Sequence, residues 1–366
     1  MVAYGKLDTE SKREKVKSVQ DPEKILRIIR NYYTDSRDSL KRRERIDRSI
    51  SNNAAFNGYF DFSDKVEGQS CESLPKVTTA VESFSAFIRR GLAQYGEWFR
   101  VDMPLDPLLS PEDVSKLLKE YLRDMPDGEL GTKSIDQVLS DGAKCGALDS
   151  LVAFKVHGSS SKRKRPHGVQ GDSKERWRLA IDLMPIEDYF PDPTGRKLYE
   201  IHAKQVDLFT VMRAAEAGAY DKAQVDMLKG SLYGQDQDTD KDQLNRDEVR
   251  TTSSRATVKV QEFYGTLVDS DGTLVEEDVY ACVANEKHLL SGPKPIKAWC
   301  GSPFAVGPLT RVPHSVWHRA VMDYVSDLNQ SLNELYNLIF DAGVSSVHGV
   351  KEIRLSWLED PGSVAG

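Results

Sequence analysis

Residues 257–295 read TVKVQEFYGTLVDSDGTLVEEDVYACVANEKHLLSGPKP. Apolar and polar residues alternate in both halves of this stretch, and residues 269–272 separate the halves. A period of two is that of a half-buried strand, and an Asp-Gly pair between two such runs is typical of a hairpin turn. The stretch therefore predicts a β-meander, to which we assign residues 257–310, including a Gly- and Pro-rich exit.

The sequence before the meander mixes helical and strand patterns. Apolar residues at helical spacing and first-turn prolines predict helices, and short alternating runs predict strands. The helices are expected at residues 21–50, from Pro75, after Pro111, at 134–148 and, with a break at Gly218, at 205–229. The strands are expected at residues 151–157, 177–183 and 199–203. Helices and antiparallel hairpins in separate stretches indicate the α+β fold class.

The longest helical pattern follows the meander. We expect it to begin at Pro313 and to end near Gly343, which suits a C-terminal cap. Its apolar residues recur every three or four positions, so they share one face. They are Trp317, Val321, Tyr324, Leu328, Leu332, Leu335 and Ile339. A stripe of this length exceeds what one small domain covers, so we predict that part of it packs against neighbouring copies of the chain.

Composition excludes several classes of protein. The 366 residues are 39% hydrophobic and 29% charged, which is typical of a globular chain and not of a disordered one. A net charge of −7 argues against a strongly basic nucleic-acid clamp. Four scattered cysteines are too few for a disulfide scaffold, so we expect folding in a reducing, intracellular compartment. No apolar signal segment or bilayer-length stretch is visible, so we expect no membrane partner.

Motifs for catalysis or metal binding are incomplete. Residues 128–134 resemble a phosphate-binding loop but have Thr132 where a Gly must precede Lys133. Residues 236–247 resemble the start of an EF-hand loop but carry Lys241 where the sharp turn needs Gly. We therefore assign no catalytic residues, no cofactor and no metal, and we expect that the protein is not an enzyme.

The densest positive cluster lies between the strands expected at 151–157 and 177–183. Lys162, Arg163, Lys164 and Arg165 form the tip of this predicted hairpin, which contains almost no apolar residues. A charge run of this kind is often a solvated loop. The alternative is a contact with phosphate groups, and the sequence leaves both interpretations open.

Several segments, taken in order along the chain, resemble the portal proteins of tailed bacteriophages, most closely those of short-tailed phages. The resemblance covers the chain from Asp21 onward. It rests on EGQSCESLPKVTTAVESFSAFIRRGLAQYGEWFRVD from Glu67, MPIEDYFPDP from Met184, KVQEFYGTLVDSDG from Lys259, CVANEKHLLSGPKP from Cys282, GSPFAVGPLTRVP from Gly301 and SLNELYNLIFDAG from Ser331. Portal proteins form a ring, usually of twelve subunits, at one capsid vertex, through which double-stranded DNA is packaged and later ejected.

The resemblance implies a portal-type protomer in five parts. They are a wing at residues 1–204, a first stem helix with its connector at 205–256, a clip at 257–310, a second stem helix at 311–345, and the start of a following, truncated segment at 346–366. The turn at Asp269, Asp271 and Gly272 would then meet the packaging motor or tail adaptor. The apolar residues from Trp317 to Leu335 would pack between subunits, and the basic tip at residues 162–165 would contact DNA or the inner surface of the capsid.

The resemblance also implies partners and a location. The chain would form a homo-oligomeric ring that conducts double-stranded DNA and contacts the large terminase, a tail adaptor, and the major capsid and scaffolding proteins. It would lie at the portal vertex of the virion after assembly in the host cytoplasm.

Two other functions stay open at this point. One is a nucleic-acid-processing enzyme whose basic hairpin binds the substrate, although the acidic cluster at residues 236–242 has a linker-like context. The other is a head–tail adaptor or capsid protein that is not the portal. The mass of the assembled particle separates the three functions.

Overall fold

The computed structural model describes residues 21–63, 65, 69–94, 110–123, 135–162, 175–231, 256–296 and 302–348. Its helices are α1 (Pro22–Arg37), α2 (Leu40–Phe56), α3 (Lys76–Gln94), α4 (Pro111–Arg123), α5 (Ile135–Leu148), α6 (Leu208–Glu216), α7 (Lys222–Ser231) and α8 (Ser326–His348), with short 3-10 helices at Ile186–Asp188 and Met322–Tyr324. Its strands are β1 (Val152–Lys162), β2 (Glu175–Met184), β3 (Tyr189–Pro191), β4 (Tyr199–Asp207), β5 (Thr257–Val268), β6 (Leu274–Ala284), β7 (His288–Pro295) and β8 (Phe304–Gly307).

The strands form two antiparallel sheets, which confirms the α+β class. One sheet has the order β2-β1-β8 and the other has the order β3-β4-β5-β6-β7. The predicted hairpin of β1 and β2 pairs Ala153 with Met184. The predicted meander is confirmed as β5-β6-β7. It is wrong for residues 304–307, because β8 pairs with β1 in the other sheet and places Val306 opposite Ala153.

Helices cover both faces of the five-stranded sheet. On one face, Ile25, Ile28 and Ile29 of α1 are at most 3% exposed and pack against a group that includes Phe263 of β5. On the other face, α6 and α7 pack against the alternate residues of the same strands, such as Val260. Successive strand residues point to opposite sides, so the sheet contributes apolar residues to two separate cores.

A second layer of helices surrounds the 3-10 helix at Met322–Tyr324. Ala55 of α2, Val77 of α3, Ala147 of α5 and Met322 are buried together. The small residues of α5 allow its close approach to other elements, as the sequence indicated. A Cβ on Gly146 would lie 2.6 Å from the Leu309 side chain, so only glycine fits that position without a shift.

The helix expected at residues 21–50 is in fact two helices. α1 ends at Arg37 and α2 begins at Leu40, with no Gly or Pro at the break. The Ser36 hydroxyl of α1 donates to the Pro191 carbonyl of β3 at 2.8 Å, whereas α2 packs against α3 and α5. The two helices are buried against different layers, and helical spacing alone does not encode that difference.

The region at residues 205–229 divides at Gly218 as predicted, with a φ of +82° at that residue. However, its first residues, up to Asp207, belong to β4, which pairs with β5 from Tyr199 opposite Gly265 to the end of the strand. The boundary predicted after residue 204 therefore falls inside a strand. A wing that ends at residue 204 and a clip that begins at residue 257 would therefore both contribute strands to the five-stranded sheet.

The long helix begins at Ser326 and not at Pro313. The residues before it include an isolated bridge between Thr310 and Arg319 and the 3-10 helix at Met322–Tyr324. Trp317 in this segment is 4% exposed and packs into a cluster with residues of β1 and β2. Burial in the core therefore overrides the helical period before residue 326.

Candidate functional site

α8 presents a row of large apolar side chains to solvent. Leu328 is 70% exposed, Leu332 40% and Leu335 53%. At 3.6 residues per turn these side chains and Ile339 lie on one face of the helix. Further exposed apolar residues of α8 are Tyr336, Leu338, Phe340, Val344 and Val347. Soluble monomers rarely expose a continuous apolar surface of this kind, so we treat this face as a candidate protein–protein interface.

A different side of α8 is polar and buried against its own chain. Asn329, Asn333 and Asn337 step by four residues and are at most 3% exposed. Asn337 Oδ1 accepts from the Glu72 backbone N–H at 2.9 Å, and its Nδ2 donates to the Glu72 carbonyl at 2.9 Å. Asn333 Oδ1 accepts from the Leu74 backbone N–H at 3.0 Å. The sequence analysis missed this set, although the spacing of four is visible in the sequence.

The same side of the helix ends at Asp341. Its carboxylate accepts from the Ser70 backbone N–H at 3.0 Å and from the Ser70 hydroxyl at 2.5 Å. The hydrogen bond from the Ser70 hydroxyl holds the pKa of Asp341 below its ordinary value. α8 is thus attached to the backbone of residues 70–74 by polar side chains.

The start of α8 is fixed by Asp323. Its carboxylate accepts from Arg45 Nη1 at 2.8 Å and from Asn52 Nδ2 at 3.0 Å, and both of these donors belong to α2. It also accepts from the Ala320 backbone N–H at 3.1 Å. Together with the asparagine contacts, this arrangement determines which face of α8 points away from the chain.

The structure divides the predicted stripe of apolar residues. Trp317 is a core residue of its own chain, so its assignment to packing between subunits is corrected. Val321 is half-buried beside α2, α3 and α5, and Tyr324 is 55% exposed in the 3-10 helix. The three stripe residues that precede Ser326 are not in an α-helix. They therefore do not continue the face on which Leu328 lies.

The turn at Asp269, Asp271 and Gly272 lies between β5 and β6, as the sequence predicted. Asp271 accepts a backbone hydrogen bond within the turn at 3.0 Å, and Gly272 has a φ of +82°. The Asp269 carboxylate contacts Lys24 Nζ at 2.7 Å and Arg27 Nη2 at 3.4 Å. The hydrogen bond from Lys24 is the main reason that the pKa of Asp269 lies below its ordinary value. The turn is therefore joined to α1.

The basic tip lies largely outside the described residues. Lys162 is the last residue of β1, opposite Glu175 of β2. Arg163, Lys164 and Arg165 fall outside the described ranges, so their contact with DNA or capsid stays a prediction.

A buried ionic cluster, which no sequence motif marks, joins the two sheets. The Lys155 ammonium of β1 donates to the Glu262 carboxylate of β5, and His202 Nδ1 and Lys204 Nζ of β4 lie 3.6 and 3.9 Å from that carboxylate. Burial alone would raise the pKa of Glu262. The hydrogen bond from His202 and the charges of Lys155 and Lys204 outweigh burial and lower this pKa below its ordinary value.

Two kinds of feature are absent from the described part of the chain. No three His, Cys, Asp or Glu side chains there are placed to hold one metal ion. No helix there combines the length and hydropathy of a membrane span.

Most of the residues that form this architecture match a known protein family. A family model described as phage SU10 portal protein matches residues 122–352, which is more than half of the chain and includes both sheets and α8. The chain belongs to the phage SU10 portal protein family. No curated protein matches the chain.

Membership in the SU10 portal protein family confirms the resemblance to phage portals that the sequence showed. This is a structural family and not an enzyme family, so the nucleic-acid-processing enzyme is not favoured. The family implies a component of the virion capsid that belongs to an oligomeric ring with other phage proteins. The exposed apolar face of α8 lies within the matched residues and is the candidate interface of this portal protein.

Proposed function

We propose that this portal protein forms a ring of twelve subunits at one capsid vertex of a short-tailed phage, and that the ring is the channel for DNA packaging and ejection. The observation that carries the ring assembly is the exposed apolar face of α8. Burying apolar surface stabilises an interface by about 25 cal/mol per Å². A neighbouring subunit that covers Leu328, Leu332 and Leu335 would gain this stabilisation.

The charge of the chain suits a channel through which DNA slides. Each contact between a basic side chain and a phosphate adds salt-dependent affinity, and a ring repeats every contact in each subunit. A chain with a net charge of −7 avoids a strongly basic lumen that would hold the duplex. The large terminase would supply the driving force for packaging, and the tail adaptor would dock after packaging ends.

We assign regional roles in the same way. The clip corresponds to the β5–β7 meander, the second stem helix to α8, and the wing to the elements up to and including β4. The pairing of β4 with β5 makes these regions parts of one folded unit. We expect the major capsid and scaffolding proteins to contact the ring during assembly in the host cytoplasm.

The test of ring formation is the mass and shape of the purified protein. Light scattering should give about twelve times the chain mass of 41.1 kDa, and negative-stain images should show rings with a central opening. A monomer at all concentrations would contradict the ring. A closed oligomer without an opening would favour a non-portal capsid protein.

The turn between β5 and β6 is our proposed contact with the motor or tail adaptor. Asp271 is exposed there, whereas Asp269 is paired with α1. Asp271→Lys should reduce the terminase or adaptor recovered per ring in a pull-down while ring size is unchanged. Loss of rings with unchanged docking per ring would contradict this role.

The basic tip at residues 162–165 is our proposed contact with DNA. Replacing all four residues by Gln should reduce the slope of log affinity against log salt by up to about 0.9 for each lost contact on duplex DNA. An unchanged slope would identify the tip as a solvated loop. Unchanged DNA binding with reduced incorporation into heads would assign it to the capsid.

A further inference from the structure

A cleft of about 1200 Å³ lies between the β3–β4 connection, β8 and residues 308–318. It is separate from the apolar face of α8. The regional roles proposed above do not use it. Its volume exceeds the 300–1000 Å³ typical of small-molecule sites, so its size suits a segment of polypeptide.

Four exposed basic side chains line this cleft. They are Lys41, Arg196, Lys197 and Arg311. Within the described residues, none of the four forms an ion pair. Many charged side chains of α1 and α2, in contrast, form ion pairs, such as Arg45 with Asp323 and Lys24 with Asp269. The basic side chains of the cleft are thus available to an anionic partner.

Among the described residues, three carboxylates line the cleft, and two of them are already engaged. Asp192 is 5% exposed and accepts from the Thr194 backbone N–H at 2.8 Å and the Leu198 backbone N–H at 3.1 Å. Glu200 accepts from the Tyr189 hydroxyl at 2.5 Å and from the Ser302 hydroxyl. Asp278 is the remaining lining carboxylate. The unengaged charge of the cleft is therefore positive.

The interior of the cleft is aromatic and includes a strand edge. The Phe304 ring lies 5.1 Å from the Tyr264 ring and 6.0 Å from the Tyr189 ring, in edge-on geometry. Phe304 and Val306 of β8 line the cleft, and among the described strands β8 lies at the edge of its sheet and pairs with β1 on one side. An edge strand can pair with an added extended peptide.

We propose that this cleft binds an extended acidic peptide segment of another virion protein. The peptide backbone pairs with β8, an apolar side chain packs against the aromatic interior, and carboxylates pair with Arg196, Lys197 and their neighbours. Peptide is favoured over DNA because the exposed edge of β8 can pair with an extended polypeptide backbone. The cleft is also too small to admit a duplex.

The probe is a fluorescein-labelled peptide of twelve residues with six Glu and two Phe, the remainder Ser and Gly. Fluorescence anisotropy on the full chain should show saturable binding that weakens with salt. Arg196→Glu with Lys197→Glu should weaken it by about tenfold, because charge-assisted contacts become repulsive. Lys222→Glu with Lys229→Glu, two exposed positions of α7 outside the cleft, should leave it unchanged.

Other outcomes overturn the proposal. Absence of peptide binding, equal binding of a peptide with Lys in place of Glu, or equal loss in both double variants would each do so. Tighter binding of a short DNA duplex, lost in the cleft variant, would reassign the cleft to nucleic acid. Ring formation by the cleft variant is measured in parallel, so that failure of this proposal is separate from failure of the proposed ring.

Discussion

α1 and α8 are both amphipathic helices, and the chain treats their apolar faces in opposite ways. Ile29 of α1 is 0% exposed beneath the five-stranded sheet, whereas Ile339 of α8 is 63% exposed. α1 turns its isoleucines inward and most of its arginines outward. α8 instead turns Asn333 and Asn337 toward its own chain and its leucines outward.

This difference shows what helical spacing can and cannot indicate. Spacing identifies the residues that share a face, because backbone geometry sets 3.6 residues per turn. It does not identify the element that covers the face. For α1 the cover is β4, β5 and β6 of the same chain. For α8 no described element covers the leucines, which is why we assign a neighbouring subunit to them.

The largest expected effect is on assembly through α8. Leu328→Asp should abolish ring formation, because a carboxylate buried without a partner in the interface is costly. Circular dichroism should be unchanged, since Leu328 is exposed in the isolated chain. The matched control is Gln330→Asp, about 200° around the helix from Leu328. Rings of normal size from the Leu328 variant would show that the apolar face is not the interface.

The second prediction compares the same substitution on both helices. Ile29→Ala should lower the free energy of unfolding by about 2–5 kcal/mol, because it opens a cavity in the core. Ile339→Ala should change it by less than about 0.5 kcal/mol in the monomer, because that side chain is exposed. Denaturant unfolding measures both free energies, at protein concentrations too low for rings to assemble. Equal losses would mean that α8 buries its apolar face within the chain.

The third prediction concerns the ionic cluster around Glu262, which lies on the face of the five-stranded sheet opposite to α1. Glu262→Gln should cost about 1.5–3 kcal/mol at neutral pH, because Lys155 loses its charged partner. The folded-state pKa of Glu262 is lowered, so its contribution is full above the ordinary carboxyl pKa of about 4.3 and is lost as pH falls below that value. The variant should therefore show a flatter loss of stability in acid than the natural chain. Parallel acid curves would exclude this role.

The smallest expected effect tests the polar attachment of α8. Asn337→Ala removes both hydrogen bonds to Glu72 and should cost about 1 kcal/mol. Hydrogen exchange at the amides of Glu72 and Leu74 should become faster. Asn329→Ala is the control, because the Asn329 amide has no hydrogen-bond partner among the described residues. Equal exchange in the two variants would show that Asn337 does not hold the segment.

Prediction from sequence succeeded where the signal is local. Alternation located β5 and β6, and the Asp-Gly pair located the turn between them. Pro111 marked the start of α4, where the Asp113 backbone N–H donates to the Ser110 hydroxyl at 3.1 Å. Each of these features depends on residues within a few positions of one another, so one stretch of sequence contains the whole signal.

Prediction failed where distant residues decide the outcome. Trp317 fits the helical stripe by spacing, yet it fills a core formed by residues of β1 and β2. β8 follows the meander in sequence, yet it pairs with β1. Lys155 and Glu262 are 107 residues apart and meet only after both sheets have formed. The spacing of apolar residues within one stretch does not indicate which distant residues will contact it.

The sequence by itself determined the α+β class, the hairpins, the turn at residues 269–272, the apolar face of α8 and the resemblance to phage portals. The tertiary structure decided the division between α1 and α2, the start of α8 at Ser326, the pairing of Asp269 with α1 and the exposure of Leu328. The physical reason is that backbone geometry and turn chemistry act over a few residues. Burial depends on which distant elements reach a face, and for α8 no described element of its own chain covers the leucines.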